Sequence, residues 1–300
     1  MKTSRSASAF LAQSEQFWMR AAPPHALAIF RIAFGAYLLF YWGLKAPHVP
    51  VLFSEEGIAI PRFAWTVLTP PPAEIAWVVY GAFLLSLAAL TLGFAARPAA
   101  SVACALSLYY RLLSVHLFGT SFDRLYIFAL AVLAFSGADR TFSLAMLRKR
   151  GSIFAWEKIS ILPQRILAAQ LTATYLGVGL QKLFLPSWQG GEILAYGFTG
   201  RWATPLSRWI MRQNWPMQVF DAAVFLVKAF EISLPIGLWI PRVQWLFFLG
   251  TALFHTAIAL TLGIWWFLIL VPANVVFLEP ERFLALLRRV FPQIRAPNAA

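Results

Sequence analysis

Lys182 and His255 are set where their side chains could do chemistry. A neutral lysine amine can take a proton as a general base. An imidazole can stabilise a developing negative charge by hydrogen bonding. Both residues lie inside long apolar runs, Ile166–Leu185 and Val243–Leu262. An ionisable group inside such a run is costly and needs a partner or a role. Each also has a plainer explanation. Lys182 is about one turn from the end of its run and can snorkel, and a lone histidine can serve as a hydrogen-bonding helix contact.

The neighbours add detail. Tyr175, Gly179 and Lys182 recur at i, i+4, i+7, while Gln170, Thr174, Gly177 and Gln181 line an adjoining face. A helix that is polar or small over so wide an arc is expected to be surrounded by protein, with its glycines at close helix contacts. Thr251, His255 and Ala259 form a shorter stripe at i, i+4, i+8. Lys228 and Glu231 are three residues apart and can pair across one helix face, a neutral arrangement that suits mid-membrane. Arg31, about a turn inside its run, can snorkel. Arg111, His116, Asp123, Arg124 and Asp221 fall toward the ends of other runs, and Glu192 lies in the loop just after Lys182.

Several chemistries find no support. The histidines, at positions 25, 48, 116 and 255, form no HExxH or other paired spacing, so no metal is expected. Cys104 is alone, which excludes an internal disulfide or a CxxC redox pair. Phosphate loops, GxSxG elbows and dinucleotide fingerprints are missing. The net charge of +13 would suggest nucleic acid in a soluble protein. With no basic groove module present, it is read instead as cytoplasmic loops held against an anionic leaflet.

The elements that must position these residues follow from hydropathy. Apolar residues make up 60% of the chain and charged ones 12%, whereas a soluble domain is near half and a quarter. Eight apolar segments are expected: Ala26–Leu44, Ile75–Leu92, Ala99–Leu117, Asp123–Gly137, Ile166–Leu185, Val219–Ile240, Val243–Leu262 and Ile264–Leu278. Most approach the ~20 residues a spanning helix needs. The fourth and eighth are short and could be tilted or re-entrant. Pro70–Pro72, Gly93, Pro98, Pro241 and Gly263 mark the joints. The predicted fold is an all-α polytopic membrane bundle. Residues 1–25 form a cytoplasmic or interfacial segment, 26–279 the membrane domain and 280–300 a basic cytoplasmic tail.

With the N-terminus inside, 14 of the 25 Lys and Arg fall on the cytoplasmic side and 5 outside. That bias fixes the orientation. Lys182, His255, Arg111, His116, Asp123, Glu192 and Asp221 then share an outer-side depth, which predicts one polar cavity open toward the outer face. Two outside stretches, 45–74 and 186–218, are longer than simple turns and rich in Trp, Phe and Pro. They are read either as a functional lid or as an interfacial aromatic belt.

Four stretches carry a resemblance. They are ALAIFRIAFGAYLL with LFSEEGIAIPR, SFDRLYIFALAVLAFSGADRTFSL, YLGVGLQKLFLPSWQGGEILAYGF, and EISLPIGLWIPR leading to LFHTAIALTLGIWWFLILVPANVVFLE. In this order the chain resembles the HTTM family, related to the membrane domain of vitamin K-dependent gamma-carboxylase. The resemblance implies that Lys182 is the base that activates a reduced quinone and that His255 falls on the histidine of a later helix. A histidine near the base in animal enzymes falls at Asp123. Tyr175, Gly179, Trp188, Arg111 and Asp123 become candidate cofactor-binding residues. The implied chemistry joins the reduced cofactor with oxygen to make a strong base, which removes a C–H proton so that the carbanion captures carbon dioxide.

Animal carboxylases continue into a large lumenal domain that helps recognise a protein substrate. This sequence ends about 22 residues after its last apolar segment, so a protein substrate is not expected. A bacterial inner-membrane setting follows, with membrane lipids and an isoprenoid quinol, of the vitamin K or menaquinone type, as partners. The alternative is a non-catalytic quinone- or lipid-binding protein, or a small transporter. Reporter fusions at Ala300 and near Gly200 are predicted to report opposite sides of the membrane. Finding both on one side would break the eight-span arrangement.

Overall fold

A computed structural model describes residues 12–60, 68–114 and 121–294. Lys2, Arg5, Arg62, His116 and Arg295, which figure in the sequence reading, lie outside the described residues. Among the described residues the architecture is all-α apart from one two-residue strand pair, β1 (Ala21–Ala22) with β2 (Ile159–Ser160), antiparallel. The chain divides into two compact units, 1–167 with 278–300, and 168–277, the boundary falling inside one long helix.

In the first unit, a short helix α1 (12–19) precedes α2 (His25–Gly43), α3 (Val49–Phe53), α4 (Ala73–Leu92), α5 (Ala96–Leu113) and α6 (Ser121–Ala134). α2 packs on α4, α4 on α5, and α5 on α6. Trp42 anchors this packing, with Phe53, Phe83 and Tyr110 around its ring. α7 (Leu144–Arg150) and α14 (Pro280–Val290) carry basic last turns, which suits the negative end of a helix dipole.

Arg31 corrects the expectation of snorkelling. It is fully buried, and its guanidinium donates to the carbonyls of Leu90 (2.6 Å), Thr91 (2.5 Å), Ala138 (3.2 Å) and Phe142 (2.6 Å). The first two are among the last carbonyls of α4, which a helix cannot satisfy itself. The chain leaves α4 through Gly93 at φ 67°, and a Cβ there would lie 2.4 Å from Ser143 Cβ and 3.0 Å from Arg31 Cζ. A planar fork with five donors suits four carbonyls better than a point-like ammonium does.

The second unit contains most of α8 (Leu162–Phe184), then α9 (Glu192–Thr199), α10 (Pro205–Arg212), α11 (Met217–Gly237), α12 (Gln244–Leu262) and α13 (Leu270–Ala273). α11 and α12 interlock through glycines. The Phe247 ring occupies the space where Gly237 would carry a Cβ, and the Phe230 ring does the same at Gly250. The N-terminal end of α8 is tied within the first unit. Gln164 donates to the Leu278 carbonyl at 2.8 Å and Arg165 pairs with Glu279 at 2.9 Å.

Among the described residues α2, α4 and α12 are long and apolar enough on their own to cross a membrane. α5, α8 and α11 have spanning length, 18, 23 and 21 residues, but carry more polar side chains. The fourth expected segment stops at Ala134, giving 14 helical residues. The eighth is broken into a 3-10 turn at Trp265–Ile269, the four residues of α13, and a second 3-10 turn at Asn274–Phe277. Pro272 inside it has no N–H to continue an α ladder. The third helix ends at Leu113, and the expected boundary at Leu117 lies outside the described residues.

Arg31→Lys is predicted to cost about 1.5–3 kcal/mol, the worth of one charged hydrogen bond left unmade. The thermal unfolding midpoint of the purified protein should fall by several degrees. An unchanged midpoint would show that the four carbonyls do not depend on the guanidinium.

A buried ion pair and a tyrosine–histidine pair as the candidate site

α8 presents Tyr175, Gly179 and Lys182 inward, as the i, i+4, i+7 spacing predicts, with Tyr175 and Gly179 buried. The adjoining face departs from expectation. Gly177 and Gln181 are exposed, and Gln170 and Thr174 bond to each other along the helix (3.3 and 2.8 Å). The Gln170 and Thr174 side chains thus meet each other within the helix.

Gly179 sets the approach of α11. A Cβ added there would lie 2.9 Å from Ile232 Cγ1 and 3.2 Å from both the Glu231 carbonyl carbon and the Ile232 nitrogen. The two helices therefore meet nearly backbone to backbone, as small residues permit. Pro235, inside α11, has no N–H for the carbonyl of Glu231 four residues earlier.

This closeness lets two charges meet. Lys182 Nζ donates to Glu231 Oε2 at 2.5 Å, and the side chains are only 13% and 7% exposed. The Lys182 ammonium also lies 4.3 Å from the centre of the Trp188 ring, within cation–π range. Glu231 was expected to pair with Lys228 along α11. Instead Lys228 Nζ donates to the Trp188 carbonyl at 2.9 Å, which fixes the turn that carries the ring. Asp221 Oδ1 accepts from the Gly191 N–H at 2.7 Å, a second tie between this turn and α11.

α12 supplies the other pair. Thr251 and His255 are its buried residues. Thr251 bonds back to the Phe247 carbonyl at 2.7 Å. The Tyr175 hydroxyl and His255 Nε2 are 3.1 Å apart. His255 Nδ1 is buried and has no hydrogen-bond partner among the described residues. The two pairs sense each other, with Tyr175 in the field of Glu231 and His255 in that of Lys182. The second unit thus gathers an acid, an amine, a phenol and an imidazole from three helices. Beside Trp188, a cavity of about 540 Å³ is walled by Pro186, Ser187, Gln189, Glu192 and Tyr196.

Arg111 and Asp123 belong to the first unit. Asp123 is buried and lies in electrostatic contact with Lys45, Tyr41 and Tyr126, and Arg111 with Tyr126. The Lys45 ammonium sits 4.4 Å from the Tyr41 ring centre and 4.3 Å from that of Trp42. Burial pushes its amine down to about 8, against an opposing pull from Asp123. The sequence reading counted Lys45 only as a loop charge. The signal for more was Tyr41 and Trp42, four and three residues earlier on a helical path. Among the described residues no cluster of three or more His, Cys, Asp or Glu is placed to hold a metal.

Apolar helices enclosing buried charged groups define a helical membrane protein. The model of the HTTM domain matches residues 19–281, and the chain belongs to the HTTM family. That family is related to the membrane domain of vitamin K-dependent carboxylase. No curated protein and no solved structure matches the chain.

Proposed function

We propose that the chain is a carboxylase-like membrane enzyme that uses a reduced quinone of the vitamin K or menaquinone type, with Lys182 as general base. One observation carries the reading. The lysine that the family resemblance assigns as base is only 13% exposed, and it is held by Glu231 at 2.5 Å and by the Trp188 ring. A bound reduced quinone would supply, together with oxygen, the strong base for C–H proton removal that precedes capture of carbon dioxide.

The residues present fit such a ligand. His255 Nδ1 is a buried polar atom without a partner among the described residues. When the Tyr175 hydroxyl donates to Nε2, Nδ1 carries the proton and can donate to a ligand oxygen. Lys182 Nζ takes the hydroxyl proton of the ligand. The exposed apolar side chains of α12, among them Leu246, Leu249 and Leu253, suit contact with lipid or an isoprenoid tail. We place eight spans in a bacterial inner membrane, with both termini inside and the Lys182 site toward the outer face. The charge bias of the loops supports that placement.

A second reading, binding of lipid or quinone without catalysis, or a small transporter, has its own support. The first unit holds a cavity of about 480 Å³ lined almost wholly by apolar side chains, including Ile29, Ile32, Leu92, Phe154 and Leu287. Such a cavity would take an acyl or isoprenoid chain without further chemistry.

Lys182→Arg separates the two. Arginine keeps the charge opposite Glu231 but has no useful basicity near neutral pH. The variant is expected to insert normally, retain quinol and lose turnover by ~10²–10⁴-fold, the range typical of a lost general base. The readout is quinol consumption or labelled carbon dioxide incorporation in membranes. Equal rates in wild type and variant would sink the base assignment. A wild type without activity would favour the binding reading.

A further inference from the structure

Lys182 cannot act as a base while it carries three protons, so a base assignment leaves open where one of them goes. The geometry around Nζ narrows the answer. On one side is the Trp188 ring, which accepts no proton. The His255 ring is near enough to sense the lysine charge, but its Nε2 is paired with Tyr175, and its Nδ1 carries the ring proton when Tyr175 donates to Nε2, so neither nitrogen is then open to a proton. On the remaining side, at 2.5 Å and in hydrogen-bond contact, is Glu231 Oε2.

We propose that Glu231 is the proton acceptor that frees the Lys182 amine. This inference rests on the reading of Lys182 as a base. One Nζ–H bond breaks and an Oε2–H bond forms, converting an ammonium–carboxylate pair into an amine and a carboxylic acid. The net charge of the site is unchanged, and no proton has to leave an apolar region, where an unpaired charge would be costly. The free amine then takes the hydroxyl proton of the bound reduced quinone. That O–H bond breaks, a new N–H bond forms, and the electron pair stays on the ligand oxygen. In sum, the hydroxyl proton is stored on Glu231, while Lys182 is again an ammonium facing the oxygen that lost it. A carboxylate acting alone would become a neutral acid and leave the ligand oxyanion without a counter-charge. The Lys182 ammonium supplies that counter-charge.

The placement of the pair supports this role over a purely architectural one. Gly179 and Ile232 bring α8 and α11 to near contact beside the two charges. The Trp188 turn, tied to α11 through Lys228 and Asp221, closes over the amine. A bridge needed only for packing does not require one end to be an exchangeable amine held against an aromatic face.

The opposing view makes Glu231 a fixed counter-ion that keeps Lys182 charged. The two views predict opposite outcomes for Glu231→Gln. A carboxamide can accept the hydrogen bond but not the proton. With the acceptor gone, quinol consumption is expected to fall ~10²–10⁴-fold, while Glu231→Asp retains part of it. With a mere counter-ion gone, the amine is easier to free and activity would hold or rise.

The deciding readout is infrared difference spectroscopy on the full-length protein in lipid nanodiscs. A reduced short-chain menaquinone is added without oxygen, and bound quinol is measured in parallel by extraction. The expected result is a new carbonyl band of a protonated carboxylic acid. It should be absent in Glu231→Gln, shifted in Glu231→Asp, and shifted by ¹³C-glutamate labelling of the wild type, which serves even where the variants fold poorly. Quinol bound with no such band overturns the inference and leaves the functional reading standing. Wild type that binds no quinol overturns both.

Discussion

A charge taken out of water must find its opposite, and in the second unit Lys182 and Glu231 do so across two helices. Desolvating either alone would cost several kcal/mol, and close pairing offsets that cost only when the geometry is good. Much of the local architecture serves this geometry. Gly179 removes the side chain that would hold α11 away. The turn after α8 bends back so that Trp188 covers the amine, and Lys228 and Asp221 hold that turn to α11. The Tyr175–His255 pair brings α12 into the same field.

The first unit obeys the same rule with other groups. Arg31 donates to four carbonyls at a helix end and in a loop. Glu157 collects Arg140, Lys149 and Arg150, and the Lys149 hydrogen bond leads in holding its carboxyl down to about 2. Glu279 does similar work for Arg20 and Arg165. Of the basic residues that gave the sequence its positive bias, several are therefore committed to carboxylates in the fold. The Arg148–Arg150 run is a case in point. Its sequence reads as a cytoplasmic anchor, yet two of its three side chains close on Glu157.

Much of this was legible before any coordinates. Hydropathy located the long helices, because apolar runs of spanning length have few alternatives. Periodicity placed Tyr175, Gly179 and Lys182 on one face, and the structure buries that face. Pairing was harder. Lys228 and Glu231 satisfy the i, i+3 rule, and local spacing takes no account of a second helix close enough to compete. Gly179, one turn before Lys182, was the available hint that a backbone passes there. The broken 265–277 stretch was foreshadowed by its shortness and by Pro272, but apolar content alone does not distinguish 3-10 turns from an α-helix. Lys45 escaped notice because a lysine just outside an apolar run reads as an anchor, and the rings around it become visible only in the fold.

The central claim is that Lys182 and Glu231 form one energetic unit, and a double-mutant cycle on thermal stability tests it most directly. Lys182→Met and Glu231→Leu would be compared singly and together in the purified full-length protein. Each single change leaves a buried charge without its partner and is expected to cost about 3–5 kcal/mol. The double change removes both charges and should cost less than the sum, by a coupling near the upper end of the ~0.5–3 kcal/mol range. Additive losses, or single variants as stable as the wild type, would contradict the pairing on which this account of the site is built.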